Sequence, residues 1–316
     1  MRAGSISDLS PRIARTAMNE LLHSLDWVLP LRSDELTPLM RFFTLLGYEK
    51  FILFFLPLGY WAWHRGVFLR LLVLVAFTAL LNAWLKDFWQ DPRPPVALRM
   101  DHEVGDSFGL PSGHAQIAIV IWLWLAWELR RGWAWLVAGV IATGIIFSRL
   151  YLGAHDVEDV LGGALLGIAT LLVFERVRRW DWWREAHAGW HLVLILLAFS
   201  CAWLSWPGAA PSYVPLLAGM LLGVLFGYRQ LAFSAEVVLW RRLAAAVLGA
   251  LAFILLQKVL KLAGAAWPWQ PLAWQGLRGL AMGLFVAWLM PWLLVRLGLL
   301  AAARRDASAL PVGSAV

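Results

Sequence analysis

Nine apolar stretches, at about 48–64, 67–86, 114–129, 132–148, 157–175, 190–206, 213–228, 243–262 and 278–298, leave this 316-residue chain little room for anything but membrane helices. Each approaches the roughly 20 residues that cross a hydrocarbon core about 30 Å thick, the first being the shortest. Only 15% of the residues are charged and 61% are hydrophobic, whereas a soluble domain is roughly one-quarter charged. The expectation is an all-α polytopic membrane helix bundle of about nine transmembrane helices, with no room for a separate globular domain. The single cysteine, Cys201, excludes an intrachain disulfide and a thiolate metal cluster.

The formal net charge of +7 sits in short groups between the apolar runs. It forms no single basic face, so nucleic acid is not an expected partner. The charge sets orientation instead. Fourteen arginines, from Arg65 and Arg70 through Arg130, Arg131 and Arg176 to Arg304 and Arg305, flank the spans on one side. Seven basic residues, among them Lys86, Arg93, Arg99 and Arg149, flank the other. The positive-inside rule places the first side, with the C-terminus, in the cytoplasm. Residues 1–50 carry six basic and six acidic side chains, a balance compatible with an outer location. No removable signal peptide is expected near Met1. Residues 13–30 have helical apolar spacing, which predicts an amphipathic helix lying on the outer interface or packed against the bundle. Tryptophans at span ends, such as Trp61, Trp84, Trp89, Trp182 and Trp267, read as an interfacial belt.

Three polar clusters fall at span ends on the outer side: Lys86 with Arg93-Pro94; Pro111-Ser112-Gly113-His114; and Ser148-Arg149 with His155 and Asp159. Ionisable groups at such positions are functional candidates. In a helix, His155 and Asp159 stack on one face. A carboxylate on one imidazole nitrogen fixes the tautomer and leaves the other free to attack, although such pairs are also common as structural contacts. Ser112 and Gly113 open an apolar run, where helix-terminal N–H groups favour an anion. An ordinary turn and cap has the same residues. His114 supplies an acid/base partner. Lys86, Arg93 and Arg149 supply cations suited to phosphate oxygens. Headgroup anchoring explains any one of these cations but not three clusters on one side.

In order and spacing, Lys86-x6-Arg93-Pro94, Pro111-Ser112-Gly113-His114 and Ser148-Arg149-x5-His155-x3-Asp159 resemble the tripartite signature of the type 2 phosphatidic acid phosphatase superfamily. The resemblance covers roughly residues 84–160. It implies that His155 attacks phosphorus to form a phosphohistidine, that Asp159 orients it, and that His114 serves as acid and then base. It implies too that Lys86, Arg93, Ser112, Gly113 and Arg149 hold the non-bridging oxygens, without a metal or other cofactor. The chain departs from the six-span pattern in its N-terminal segment and in about four further spans after residue 185. Its layout is similar to the sphingosine-1-phosphate phosphatase and glucose-6-phosphatase branches, and Leu36-Thr37-Pro38 with Phe42 to Gly47 is similar to the first group. The expected organisation is an N-terminal interfacial amphipathic segment at 1–47, a phosphatase core at 48–185, additional helices at 186–300 that brace the core or form a homo-oligomer face, and a flexible cytoplasmic tail at 301–316.

A phosphate site at a bilayer interface favours an amphiphile whose tail remains in lipid, so the expected substrate is a lipid phosphate or lipid pyrophosphate. The competing readings are a lipid phosphotransferase and an anionic-lipid transporter. Polar residues at 95–110, including Asp101, His102, Glu103 and Asp106, form a loop that either covers the pocket or is merely solvated. Asp156 and Glu158 are expected to face outward. The composition points to a bacterial inner membrane with a periplasm-facing site, while in a eukaryote the same topology would point into the lumen of the endoplasmic reticulum.

Overall fold

The computed structural model describes residues 20–105, 107–181, 188–265 and 271–303. All nine apolar stretches are helical. A first helix, α1 (Leu36–Leu45), precedes them and is followed by α2 (Glu49–Ala62), α3 (Arg65–Trp89), α4 (Gly113–Leu129), α5 (Gly132–Tyr151) and α6 (Val157–Arg178). The remainder are α7 (Ala188–Leu204), α8 (Tyr213–Gln230), α9 (Leu239–Ala265) and α10 (Pro271–Arg296). Among the described residues the only strands are the two-residue pair β1 (Phe233–Ser234) and β2 (Ala301–Ala302), which is antiparallel.

Five helices, α3, α5, α6, α9 and α10, are long and apolar enough to cross a bilayer. The pair α1 and α2, bent by 57° at residues 46–48, makes a sixth if counted as one span. Helices α4 and α7 are apolar but shorter, and α8 has 18 residues. Two helices carry π-helical turns, Ile119–Leu123 in α4 and Phe285–Leu289 in α10. The chain is an all-α integral membrane protein.

Two compact units are discontinuous in sequence, one formed by residues 1–48 and 85–169, the other by 49–84 and 170–316. In the first unit, α1 lies against α5, with the Phe43 ring occupying the space a Cβ on Gly144 would need. Leu25 and Val28 are buried with Met40, Ala115, Tyr151 and Val160. The described part of the 13–30 segment is helical only at 20–23 and in the short turn Leu29–Leu31, so the expected helix does not run through it. Leu25 and Val28 pack within this unit while Leu21 and Trp27 are exposed, and residues 13–19 lie outside the described residues. Arg32 reinforces the packing by donating to the carbonyls of Tyr151 (2.9 Å) and Leu98 (2.8 Å).

In the second unit, α8 and α10 meet backbone to backbone. A Cβ on Gly219 would stand 2.1 Å from the Gly276 carbonyl oxygen, and one on Gly279 would stand 2.0 Å from that of Leu216. Glycines at 219, 223 and 227 on one helix and at 276, 279 and 283 on the other allow this approach, the usual device where lipid supplies no hydrophobic drive between helices. Trp61 corrects the belt expectation. It is fully buried, and its Nε1 donates to the Val286 carbonyl at 2.8 Å while its ring meets Phe285 edge-on. Trp182 and Trp267 lie outside the described residues, as do Arg304, Arg305 and most of the 301–316 tail.

Candidate active site

The turn between α5 and α6 presents His155. After the end of α5 the chain turns through Gly153, whose φ of +67° is costly for any residue with a Cβ, and whose missing Cβ leaves room for the Leu98 carbonyl. The amides of Ala154 and His155 then bond back to the Arg149 carbonyl at 3.0 and 3.3 Å. Helix α6 starts with an Asp156 cap, its Oδ1 accepting from the Asp159 amide at 3.0 Å. Asp156 is buried, which corrects its expected outward orientation. It lies before the helix and folds back, so helical spacing does not govern it. Glu158 is more exposed, and His23 bonds both carboxylates, Asp156 at 2.9 Å and Glu158 at 3.1 Å.

His155 Nδ1 lies 2.7 Å from Asp159 Oδ2, and both residues are buried. On the opposite edge of the ring, Arg93 Nη1 lies 2.9 Å from Nε2. With Asp159 accepting from Nδ1–H, the lone pair of Nε2 faces a cation. Arg93 is fixed by the Ala154 carbonyl (2.8 Å), the Ser107 carbonyl (2.5 Å) and the Ser107 hydroxyl (2.8 Å). Burial first, and the nearby Arg149 charge second, lower the Arg93 pKa to about 10. Burial, followed by the charges of Arg93, Lys86 and Arg149, holds the His155 imidazole well below its ordinary value and hence neutral near pH 7.

Lys86, at the end of α3, donates to the carbonyls of Phe108 (2.5 Å) and Gly109 (2.6 Å). Gly109 in turn abuts Asp159, since a Cβ there would stand 2.8 Å from either carboxylate oxygen. The 95–110 loop is thus stitched to all three expected phosphate-binding cations, to Lys86 through Phe108 and Gly109, to Arg93 through Ser107 and to Arg149 through Asp101. Asp106 lies outside the described residues. Ser112 is buried and serves as the N-cap of α4. Its hydroxyl accepts from the Ala115 amide at 3.5 Å, and its own amide donates to the Asp159 carbonyl at 2.9 Å. In this arrangement Ser112 joins α4 to α6, and Gly113 opens α4 beside it, half-buried.

His114 and Arg149 form the other flank. Arg149 is buried, and its Nη1 donates to Thr44 Oγ1 and to Asp101 Oδ2, the latter at 2.7 Å. The His114 ring meets Tyr48 edge-on with centroids 4.7 Å apart, and Gly47 leaves no space for a Cβ beside it. Arg149 Nε, His114 Nε2 and Asp159 Oδ1 are buried without a hydrogen-bond partner among the described residues. The charges of Lys86, Arg93 and Arg149 act on both imidazoles, so all three expected cations and both histidines converge. Ser148 is occupied within its own helix, donating to the Ile145 carbonyl at 2.6 Å. Among the described residues no group of three or more His, Cys, Asp or Glu is placed to hold a metal ion.

Beside the motif residues lies a cavity of about 310 Å³, lined by Leu22, Trp89, Leu110, Pro111, Glu158, Leu161, Gly162, Leu165 and Leu166. His23 and Tyr48 are site neighbours that motif spacing did not bring to notice, and Asp101 was visible only as a loop residue.

Comparison with known proteins agrees with these motifs. Residues 67–183 match the PAP2 superfamily, and residues 214–305 match the PAP2 superfamily phosphatase transmembrane extension. Phosphatidylglycerophosphatase B of Bacillus subtilis is 34% identical over 164 residues, which cover 48% of this chain and 78% of that protein. Mouse sphingosine-1-phosphate phosphatase 2 is 32% identical over 136 residues, 40% of this chain; the match spans little more than a third, 38%, of the relative's own length. A crystal structure of a transmembrane PAP2-type phosphatidylglycerolphosphate phosphatase from Bacillus subtilis aligns with a TM-score of 0.42 and 26% identity, covering 54% of this chain and 90% of that one. With two family segments matched and more than three quarters of a one-third-identical relative covered, the chain belongs to the PAP2 superfamily.

Proposed function

We propose that this protein is an integral-membrane phosphatase that hydrolyses a lipid phosphate or lipid pyrophosphate at the outer face of a bacterial inner membrane. The observation that carries the reading is the His155 ring, held by Asp159 at Nδ1 and presented at Nε2 to Arg93. Phosphate entering beside Arg93 draws the guanidinium onto its non-bridging oxygens and uncovers the Nε2 lone pair. The negative charge of the bound phosphate offsets the three cations and lets His114 enter the reaction protonated. Nε2 attacks phosphorus in line, the phosphorus–oxygen bond to the leaving group breaks, and His114 gives its proton to the departing oxygen. His114, now neutral, removes a proton from water. The resulting hydroxide attacks the phosphohistidine, and phosphate leaves with Nε2 restored. Lys86, Arg93 and Arg149 stabilise charge on the pentacoordinate transition state, with the helix terminus at Ser112 and Gly113 beside them.

The mostly apolar lining of the neighbouring cavity supports an amphiphilic substrate, as do the names of the relatives. The test is phosphate release by purified protein in chelator from a panel of lipid phosphates, lipid pyrophosphates and glucose 6-phosphate. Turnover confined to the lipids and lost in His155→Ala is expected. Labelled phosphate arriving on an acceptor lipid would identify a transferase instead, and transport surviving His155→Ala without phosphate release would identify a transporter.

A further inference from the structure

We infer that Asp101, which lies outside the three signature blocks, is a positioning residue for both flanking members of this site, holding Arg149 directly and His114 through Tyr48. The inference rests on the hydrolase reading. Asp101 Oδ2 lies 2.7 Å from Arg149 Nη1, with both side chains at least nine-tenths buried. The Tyr48 hydroxyl donates to the same carboxylate at 2.5 Å, and the Tyr48 ring meets His114 edge-on at 87°. The carboxylate is fixed from its own loop as well, where Oδ1 accepts from the Glu103 amide at 3.1 Å.

The network holds Arg149 at Nη1 and meets the His114 ring edge-on through Tyr48. It leaves Arg149 Nε and His114 Nε2 as the buried atoms without a partner among the described residues. A bound phosphate and a leaving oxygen supply what those two atoms lack. With Nη1 held between Thr44 and Asp101, the buried guanidinium has little freedom to turn its Nε–H away from the site. Asp101 therefore acts on transition-state geometry rather than on general anion affinity.

The test compares wild type, Asp101→Asn, Tyr48→Phe and the double variant of the full chain in detergent, following lipid-phosphate turnover together with the thermal unfolding midpoint. Asp101→Asn is expected to lower kcat at least about 30-fold while KM moves less than about threefold. Tyr48→Phe keeps the ring against His114 and is expected to lower kcat about fivefold. The double variant is expected to fall within about twofold of Asp101→Asn alone, because both act through one carboxylate. Wild-type kcat in Asp101→Asn, a change confined to KM, or fully additive losses would overturn the inference. If Asp101→Asn lowers the unfolding midpoint, Tyr48→Phe decides, and unchanged kcat there overturns it. Wild-type protein that releases no phosphate defeats the hydrolase reading itself, whereas normal wild-type turnover with an unimpaired Asp101→Asn defeats only this inference.

Discussion

Arg93 both covers the His155 nitrogen proposed to attack phosphorus and helps to keep that ring neutral, so one substitution separates two effects. Removing the cation in Arg93→Met lets the His155 pKa rise towards its ordinary value, because one of the charges opposing protonation is gone. The acid limb of the kcat/KM profile is expected to move to higher pH, on top of a pH-independent loss of about 100-fold or more from the missing phosphate contact. A limb that stays in place would show that Arg93 does not bear on the nucleophile. His23 titrates in the opposite sense. Its hydrogen bond to Asp156, with the charges of Asp156 and Glu158, raises its pKa above 6.5, the ordinary imidazole value. Its tether therefore stabilises the fold fully below that value and is lost as pH rises through the elevated folded-state value. The difference in unfolding midpoint between wild type and His23→Ala is expected to be larger near pH 6 than near pH 8.5. The reverse order would exclude a charged tether. These residues also mark how far the site was readable. Lys86, Arg93, His114, Arg149, His155 and Asp159 stand out because their types, order and spacing fill the three signature blocks. His23 reaches Asp156 across 133 positions and Tyr48 reaches Asp101 across 53, and local pattern carries no such pairing.

Among the elements, apolar runs of bilayer length translated into helices at all nine expected places, since a buried or lipid-facing backbone has to satisfy its own hydrogen bonds. Hydropathy is blind to which face of a helix meets protein. Trp61 therefore read as an interfacial ring while it packs in a core, and the glycines of α8 and α10 went unremarked although they set that helix contact. The break at residues 46–48 falls where the first expected span begins, whereas the two π-helical turns leave no mark in a run of apolar residues. The glycine contact carries a prediction. Gly219→Ala and Gly279→Ala each place a methyl group against backbone oxygen of the facing helix. Backbone cannot yield as a side-chain tip does, so each should destabilise the protein by about 1–3 kcal/mol. Gly139→Ala, where nothing lies within 4 Å of an added Cβ, is expected to leave the unfolding midpoint unchanged or slightly raised. Equal midpoints for all three would remove the close contact as a source of stability.

For the molecule as a whole, orientation decides whether the site meets the outer leaflet. The charge argument compares fourteen basic residues on one side of the apolar runs with seven on the other. The expected topology then places Val96 and Gly208 outside and Arg131 and Glu236 inside, all four being exposed. With Cys201 replaced by serine, a single cysteine at each position reads out its side through a membrane-impermeant maleimide. Val96→Cys and Gly208→Cys should label in intact cells, whereas Arg131→Cys and Glu236→Cys should label only after permeabilisation. Labelling in the opposite sense would turn the His155 site towards the cytoplasm and move its substrate to the inner leaflet. Val96 and Gly208 reporting different sides would break the expected alternation of the intervening spans. Because Val96 lies three residues from Arg93, its label also reports on which side the candidate site lies.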